Sequence, residues 1–285
     1  MRAPGLTIHD SELRFGGAVV FTGLNLVVQG GGWTAVLGAS GVGKTSLLRL
    51  VAGLTEKATI SGQVDADDGL PLENRIAYMA QQDLLLPWLT ALDNVALPAR
   101  LQQGRVSADD QHRAHRYLDL VGLADESTKL PAALSGGMRQ RVALARTLFL
   151  ERDIILMDEP FSALDAITRF RLQAEASRLL QGKTVMLVTH DPMDEPFSAL
   201  DAITKYHLQA LAARLLANRT VLLITHDPME ALRLADSIYV LDGKPASVSA
   251  PVEMSGSAPR AVDDPAVMNH YGQLMRLLGG EEAVA

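Results

Sequence analysis

The sequence predicts an α/β domain with a largely parallel sheet and a helical subdomain set into it, on three observations. Short apolar runs at Trp33 to Leu37, Ile154 to Met157, Thr184 to Val188, Thr220 to Ile224 and Ile238 to Leu241 each end in polar or glycine residues, the pattern of buried parallel strands. Between about Asp83 and Leu150 the pattern turns helical, with Met138, Val142, Ala145 and Phe149 spaced to share one face. The 285 residues, 48% hydrophobic and 21% charged, suffice for one substantial domain or two modest ones and exclude disorder as the main state.

Charge and composition narrow the function. The 26 Lys and Arg against 33 Asp and Glu leave a net charge of −7, without the basic excess of a nucleic-acid binder. The absence of cysteine removes disulfides, thiolate metal sites and cysteine nucleophiles. Nowhere do about 18 apolar residues run together, and the stretch MRAPGLTIHDSELRF carries no apolar core of a signal peptide. The expectation is a cytoplasmic chain that does not span a membrane.

The first apolar run leads into Gly38-Ala39-Ser40-Gly41-Val42-Gly43-Lys44-Thr45, which fits G-x-x-x-x-G-K-[ST], and then into the helical Ser46-Leu-Leu-Arg-Leu-Val. Strand, loop and helix in that order are the context the motif requires. Its glycines let successive backbone N–H groups curl toward phosphate oxygens, and the helix N-terminus adds partial positive charge. Lys44 would reach the β- and γ-phosphates and the Thr45 hydroxyl would ligate Mg²⁺.

The run Ile154 to Met157 ends in Asp158-Glu159. In P-loop enzymes the first such acid holds Mg²⁺ and the second takes a proton from the attacking water. A strand-end Asp-Glu alone is more often a solvated turn, and the phosphate loop reverses that reading. Some 20 residues earlier, Leu134-Ser135-Gly136-Gly137-Met138-Arg139-Gln140-Arg141 opens a helix whose Ser and Gly residues form a second phosphate-binding surface.

Over about Leu6 to Gly243, the order of these motifs resembles the ATP-binding subunit of an ABC transporter, with LSGGMRQR similar to its signature. The resemblance implies a P-loop NTPase (RecA-like) core with an inserted helical subdomain and an N-terminal antiparallel β element. Two ATP would be sandwiched in a head-to-tail homodimer, with Ser135, Gly136 and Gly137 capping the γ-phosphate held by the other copy. Phe15 matches the aromatic that stacks on adenine, where the family more often has Tyr. Gln81 matches the loop glutamine that senses Mg²⁺ and couples to the permease, with Gln82 a rival by one register step. Ser162-Ala-Leu-Asp165 matches the loop that crosses the dimer interface, and Met138 departs from the commoner Gln. His112 and His115 read as solvated.

A tandem repeat complicates the second half. Residues 158–193 return as 194–229, a period of 36 (194 − 158), with 26 of 36 positions matching. Two copies are too few for a solenoid, so it reads as a local repetition inside one domain spanning 1–243, with the helical subdomain at about 83–150 and a short tail at 244–285. The family's switch histidine ends the strand after the acidic pair, and here both His190 and His226 end such strands. Asp194-Glu195 follows His190-Asp-Pro-Met with no strand of its own and reads as vestigial; Asp201 is a doubtful interface partner. The expected arrangement extrudes roughly residues 181–216 at the edge away from the nucleotide and puts His226 in the site. In the less favourable arrangement both strands enter the sheet side by side and push Asp158 away from the phosphate loop, giving a chain that binds ATP weakly or hydrolyses it slowly.

The implied function is the ATP-hydrolysing, energy-coupling subunit of an importer, on the cytoplasmic face of the membrane, working with permease subunits and, indirectly, a substrate-binding protein. The segment Leu84-Leu-Leu-Pro-Trp88-Leu-Thr followed by Leu92-Asp-Asn-Val95 resembles the nitrate, sulfonate and taurine branch, and with LSGGMRQR it looks closest to importers of hydroxymethylpyrimidine, the thiamine precursor. A nitrate, sulfonate or taurine type importer, or a catalytically impaired nucleotide-binding subunit, is the alternative. A soluble DNA-repair or translation ATPase would need a long coiled coil between phosphate loop and signature, and Lys44 to Ser135 spans only 91 positions (135 − 44).

Overall fold

A computed structural model describes residues 3–39, 41–54, 58–160, 182–188, 213 and 219–279. Their strands are β1 (Leu6–Phe15), β2 (Ala18–Val28), β3 (Trp33–Leu37), β4 (Ala58–Ala66), β5 (Ile76–Met79), β6 (Ile154–Asp158), β7 (Thr184–Val188), β8 (Thr220–Thr225), β9 (Ser237–Gly243), β10 (Ala246–Val248) and β11 (Val252–Glu253). Their α-helices are α1 (Lys44–Val51), α2 (Ala91–Gln103), α3 (Ala108–Leu120), α4 (Gly136–Phe149), α5 (Pro228–Leu234) and α6 (Pro265–Leu278).

The strands run in the order β4-β1-β2-β10-β9-β3-β8-β7-β6-β5, with β11 on β9. The block from β9 to β5 is parallel, while β1 pairs antiparallel with β2 and β4. In β2, Phe21, Leu24, Leu26 and Val28 are buried between exposed neighbours, the alternation of a sheet with one face on the core. All five residues of β3 and of β6 are buried, so these strands tolerate apolar side chains on both faces. Over the acid end of the sheet sit α2, α3 and α4, with Val142, Ala145 and Phe149 of α4 buried and Met138 half-buried against the same cluster.

The extrusion expected for the repeat does not occur. Thr184–Val188, which lies within the segment that was to leave the sheet, pairs with β6 on one side and β8 on the other. The two copies of the strand lie side by side, Thr184 against Thr220 through Val188 against Ile224, every partner 36 positions on (220 − 184). The reason is burial. Val185, Met186 and Val188 are no more than 2% exposed, and returning three such side chains to water costs about 1.5–3 kcal/mol each. Both strands are also anchored at their starts by the N-terminal segment, since the Thr184 hydroxyl donates to Pro4 O at 2.5 Å and that of Thr220 to Ala3 O at 2.9 Å. The less favourable arrangement is the one observed.

The described part of the tail, residues 244–279, is built into the fold. The Arg260 side chain is buried and gives hydrogen bonds to the carbonyls of Leu232, Ala235, Met254, Ser255 and Gly256. This clamps the end of α5 to the chain that leads into α6. Burial draws the guanidinium pKa downward, against the opposing pull of Asp236 and Asp264.

Candidate nucleotide site

The phosphate loop leaves β3 at Gly38 and reaches α1 at Lys44. Gly38 N donates to Thr225 O at 3.2 Å, so the end of β8 is fastened to the start of the loop. A Cβ at Gly38 would lie 2.9 Å from Leu241 O and 2.8 Å from the Val42 side chain, which excludes larger residues there. Gly43, at φ 117°, caps α1 and faces the buried Phe21 ring, 2.8 Å from where its Cβ would stand. Gly41, at φ 80°, has open space above it. Lys44 is buried, and its ammonium donates to Gly38 O at 2.9 Å across the loop. A curled backbone, a helix N-terminus and a lysine folded back over the loop form a cradle suited to a polyphosphate.

Ala39, Val42, Thr45 and Ser46 sit on this turn; Ser40 lies outside the described residues. Phe15, at the end of β1, is half-buried against the same core cluster as Val42. His226 directly follows Thr225, on the strand next to β3, and is partly exposed. Thr225 Oγ1 donates to Glu230 at 2.7 Å, and Asp227 caps α5 by accepting from the N–H groups of Met229 and Glu230, which fixes the turn that presents His226. His190, Asp165, Ser162, Asp194, Glu195 and Asp201 lie outside the described residues.

The acidic pair forms a second group. Asp158 and Glu159 are both buried at the end of β6, with Glu159 at φ 51°. Glu159 N donates to Val188 O at 3.1 Å, Gln81 Nε2 donates to Glu159 Oε1 at 2.9 Å, and Gln140 Nε2 donates to Glu159 O at 2.8 Å. The loop glutamine and the signature helix therefore both hold the strand-end acid. Tyr78, beside β6 on β5, has its phenol pKa raised by burial, with the hydrogen bond from Arg49 of α1 opposing and the charge of Asp158 adding to it.

Ser135 caps α4, accepting from Met138 N at 3.2 Å, and Gly136 is exposed with only Arg139 near the place of its Cβ. Within one chain, Gly136 shares a cleft of about 430 Å³ with Gln81, Gln82, Asp83, Arg139 and Gln140, while Gly137 follows on the same first turn. Asp83 ties this cleft together: its carboxylate accepts from Arg139 at 3.0 Å and its carbonyl from Arg146 at 2.6 Å. Burial pushes the Arg146 pKa down.

Two residues that sequence reasoning passed over are structural supports here. Gln140 was only a letter of the signature, with nothing local to mark its reach to Glu159. Asn94 is fully buried; its side chain donates to Leu86 O, Leu89 O and Thr90 O and accepts from Leu86 N, holding the loop that exposes Leu84 and Trp88. Asn94→Ala is expected to lower stability by about 2–3 kcal/mol, because three carbonyls and an N–H lose their partner. Urea denaturation checks this, and a loss under about 0.5 kcal/mol would contradict it.

A P-loop on β3, a strand-end acidic pair held by a loop glutamine and a helix opened by Ser-Gly-Gly decide the family, and comparison with known proteins agrees. Residues 21–162 match the family model described as ABC transporter. The chain belongs to the ABC transporter ATP-binding family. It is 39% identical over 278 residues to an uncharacterized ABC transporter ATP-binding protein of Haemophilus influenzae, covering 96% of this chain and 99% of the relative. It is 37% identical to the aliphatic sulfonates import ATP-binding protein of Delftia acidovorans, over 98% of this chain and 96% of that one. A solved dimeric structure of the ATP-binding cassette MJ0796, in a post-hydrolysis state with ADP and Pi, superposes with a TM-score of 0.61 at 26% identity, covering 88% of this chain and 99% of that one. The fold is the ABC ATPase cassette, as the sequence predicts, and the protein is an ATP-binding ATPase of that family. Among the described residues, no helix is long and apolar enough to cross a membrane.

The donors expected for Mg²⁺ are right in kind, a hydroxyl, a carboxylate and an amide oxygen for a hard cation. Thr45 stands in the first turn of α1 beyond β3, Asp158 ends β6 and Gln81 follows β5; β8 and β7 lie between β3 and β6 in the sheet, and α1 packs across β7 and β6.

Proposed function

We propose that this cassette is the energy-coupling subunit of an importer for aliphatic sulfonates or closely related small anions, bound peripherally to the cytoplasmic face of the membrane as a homodimer on its permease. The observation that carries the ATP reading is the phosphate cradle of Gly38 to Thr45 with Lys44 folded across it. The solute class is supported by the 37% identity to the Delftia sulfonate cassette over 98% of this chain. Hydroxymethylpyrimidine, the solute first expected, finds no such support among the relatives named above.

In this reading Lys44 and the loop N–H groups hold the β- and γ-phosphates of ATP, and Phe15 stacks on the base. Ser135, Gly136 and Gly137 of one copy close over the nucleotide of the other, across an interface that includes Asp165. His226 stands over the γ-phosphate, because β8 is fastened to Gly38, and Glu159, beyond β7, is the acid assigned to take the proton of the attacking water. Trp88, 70% exposed, and Leu84, 60% exposed, present an apolar surface to the permease from the loop that Gln81 begins. A substrate-binding protein acts through that permease.

The test is copurification with the permease and binding protein encoded alongside, with titration by a fluorescent ATP analogue. Micromolar nucleotide binding, a stable complex and a binding protein that prefers short alkanesulfonates are expected. Preference for a hydroxymethylpyrimidine would reassign the solute, and failure to bind the permease would overturn the coupling role. Separately, His226→Ala is expected to cut hydrolysis tenfold or more and His190→Ala less than about threefold; the reverse ranking would move the switch role to His190.

A further inference from the structure

We propose that the repeat makes this cassette an ATPase of low turnover, which holds ATP on its phosphate loop while the acidic pair stands one strand too far away to act. The proposal rests on the ATP reading above.

The sheet gives the geometry. Read across the carboxyl ends, Val36 of β3 is level with Ile224 of β8, Ile224 with Val188 of β7, and Val188 with Asp158 of β6. Adjacent strands lie about 4.8 Å apart, so β3 and β6 are separated by three spacings, about 14 Å, where a single intervening strand would leave about 10 Å. β7 cannot be absorbed as a surface feature. It is paired along all five residues on both sides, pinned at its start to Pro4 O and at its end to Glu159 N.

β7 thereby spreads the strand ends that carry the site, while α1 packs across β7 and β6 behind them. On one side are the loop, Lys44, Thr45, Thr225 and His226. On the other are Asp158, Glu159, Gln81, Gln140 and the signature helix, tied together because Gln81 and Gln140 both donate to Glu159. Hydrolysis needs the two halves together. As the water oxygen bonds to the γ-phosphorus and the bridging P–O bond breaks, the water proton must pass to a base, and the acid placed for it stands in the far half. Misplacement by about 1 Å costs on the order of a hundredfold in rate, and the inserted strand adds several ångströms. Binding needs only the near half, whose loop geometry is intact. Holding and hydrolysing ATP are thus separated in one chain.

Two complementary deletions provide the test, since removing residues 158–193 or residues 194–229 leaves one complete unit of the repeat in each case. The full chain is expected to bind a fluorescent ATP analogue with Mg²⁺ within about tenfold of either shortened chain, and to release phosphate at least about a hundredfold more slowly. Hydrolysis by the full chain within threefold of the shortened ones overturns the proposal and leaves the ATP reading standing. Absence of nucleotide binding in all three overturns the ATP reading, and the proposal with it. If neither shortened chain folds, the full chain decides alone: most enzymes turn over at about 1 per second or faster, so a rate below that upholds the proposal and a rate above it overturns it. Hydrogen exchange tests the sheet directly. Peptides covering 184–188 and 220–225 are expected to be equally protected, and exchange of 184–188 within seconds would overturn the inserted strand.

Discussion

Arg260→Met is expected to cost about 4 kcal/mol of stability. The guanidinium donates to five backbone carbonyls, from Met254 O at 3.4 Å to Ala235 O and Ser255 O at 2.7 Å each. Hydrogen bonds to a charged group contribute about 1.5–3 kcal/mol each in isolation, but they share one side chain, and methionine returns some packing. Part of the loss is therefore recovered by water entering the vacated space, which keeps the total near the upper range of single substitutions. For a domain of this size the melting temperature should fall by about 10 °C. A fall below about 2 °C would mean that the clamp between α5 and α6 is held by the packing of Val267 and Leu274, both fully buried, and not by the guanidinium.

Lys44→Ala is expected to weaken ATP binding by a hundredfold or more, about 2.7 kcal/mol, while leaving the melting temperature within a few degrees of the parent. The two effects separate because the ammonium is buried against Gly38 O. Its removal takes a desolvated charge out of the fold, which offsets the lost hydrogen bond. For the nucleotide there is no such offset, since a charge-assisted contact to phosphate is lost outright. Titration with a fluorescent ATP analogue beside a thermal melt checks both halves. Unchanged affinity would place the nucleotide elsewhere than on this loop.

What the sequence disclosed follows from how local each signal is. The apolar runs at Trp33 to Leu37 and Ile154 to Met157 became β3 and β6 because a strand buried on both faces needs little beyond continuous apolar side chains. The phosphate loop was legible because its glycines answer to backbone conformation and close approach at Gly38, Gly41 and Gly43, which no other residue meets as well. The choice between the two repeat copies was not legible, since Thr184 to Val188 and Thr220 to Ile224 satisfy every local criterion equally. The extrusion argument weighed where a break does least harm to the site and gave too little weight to the apolar surface that extrusion would expose. Gln140, Asn94 and Arg260 were missed for a different reason. Each acts through partners far away in the chain or through backbone carbonyls, and neither leaves a trace in spacing or periodicity.

The pairing of β7 with β8 has a consequence for the folding reaction itself. Two segments of nearly the same sequence, and of equal depth in the sheet, compete for the edge of β6 as the strands assemble. Either satisfies it almost equally well, so early encounters do not distinguish the native neighbour from its duplicate. The chain must resolve a near-degeneracy that most sequences avoid by giving each strand its own side chains. What resolves it is connectivity, the short reach from β6 to Thr184 against the longer one to Thr220, which is a difference in loop-closure entropy of a fraction of a kcal/mol, about 0.6 for each doubling of length. The order of the strands is decided by the length of chain between them, and only weakly by what they are made of.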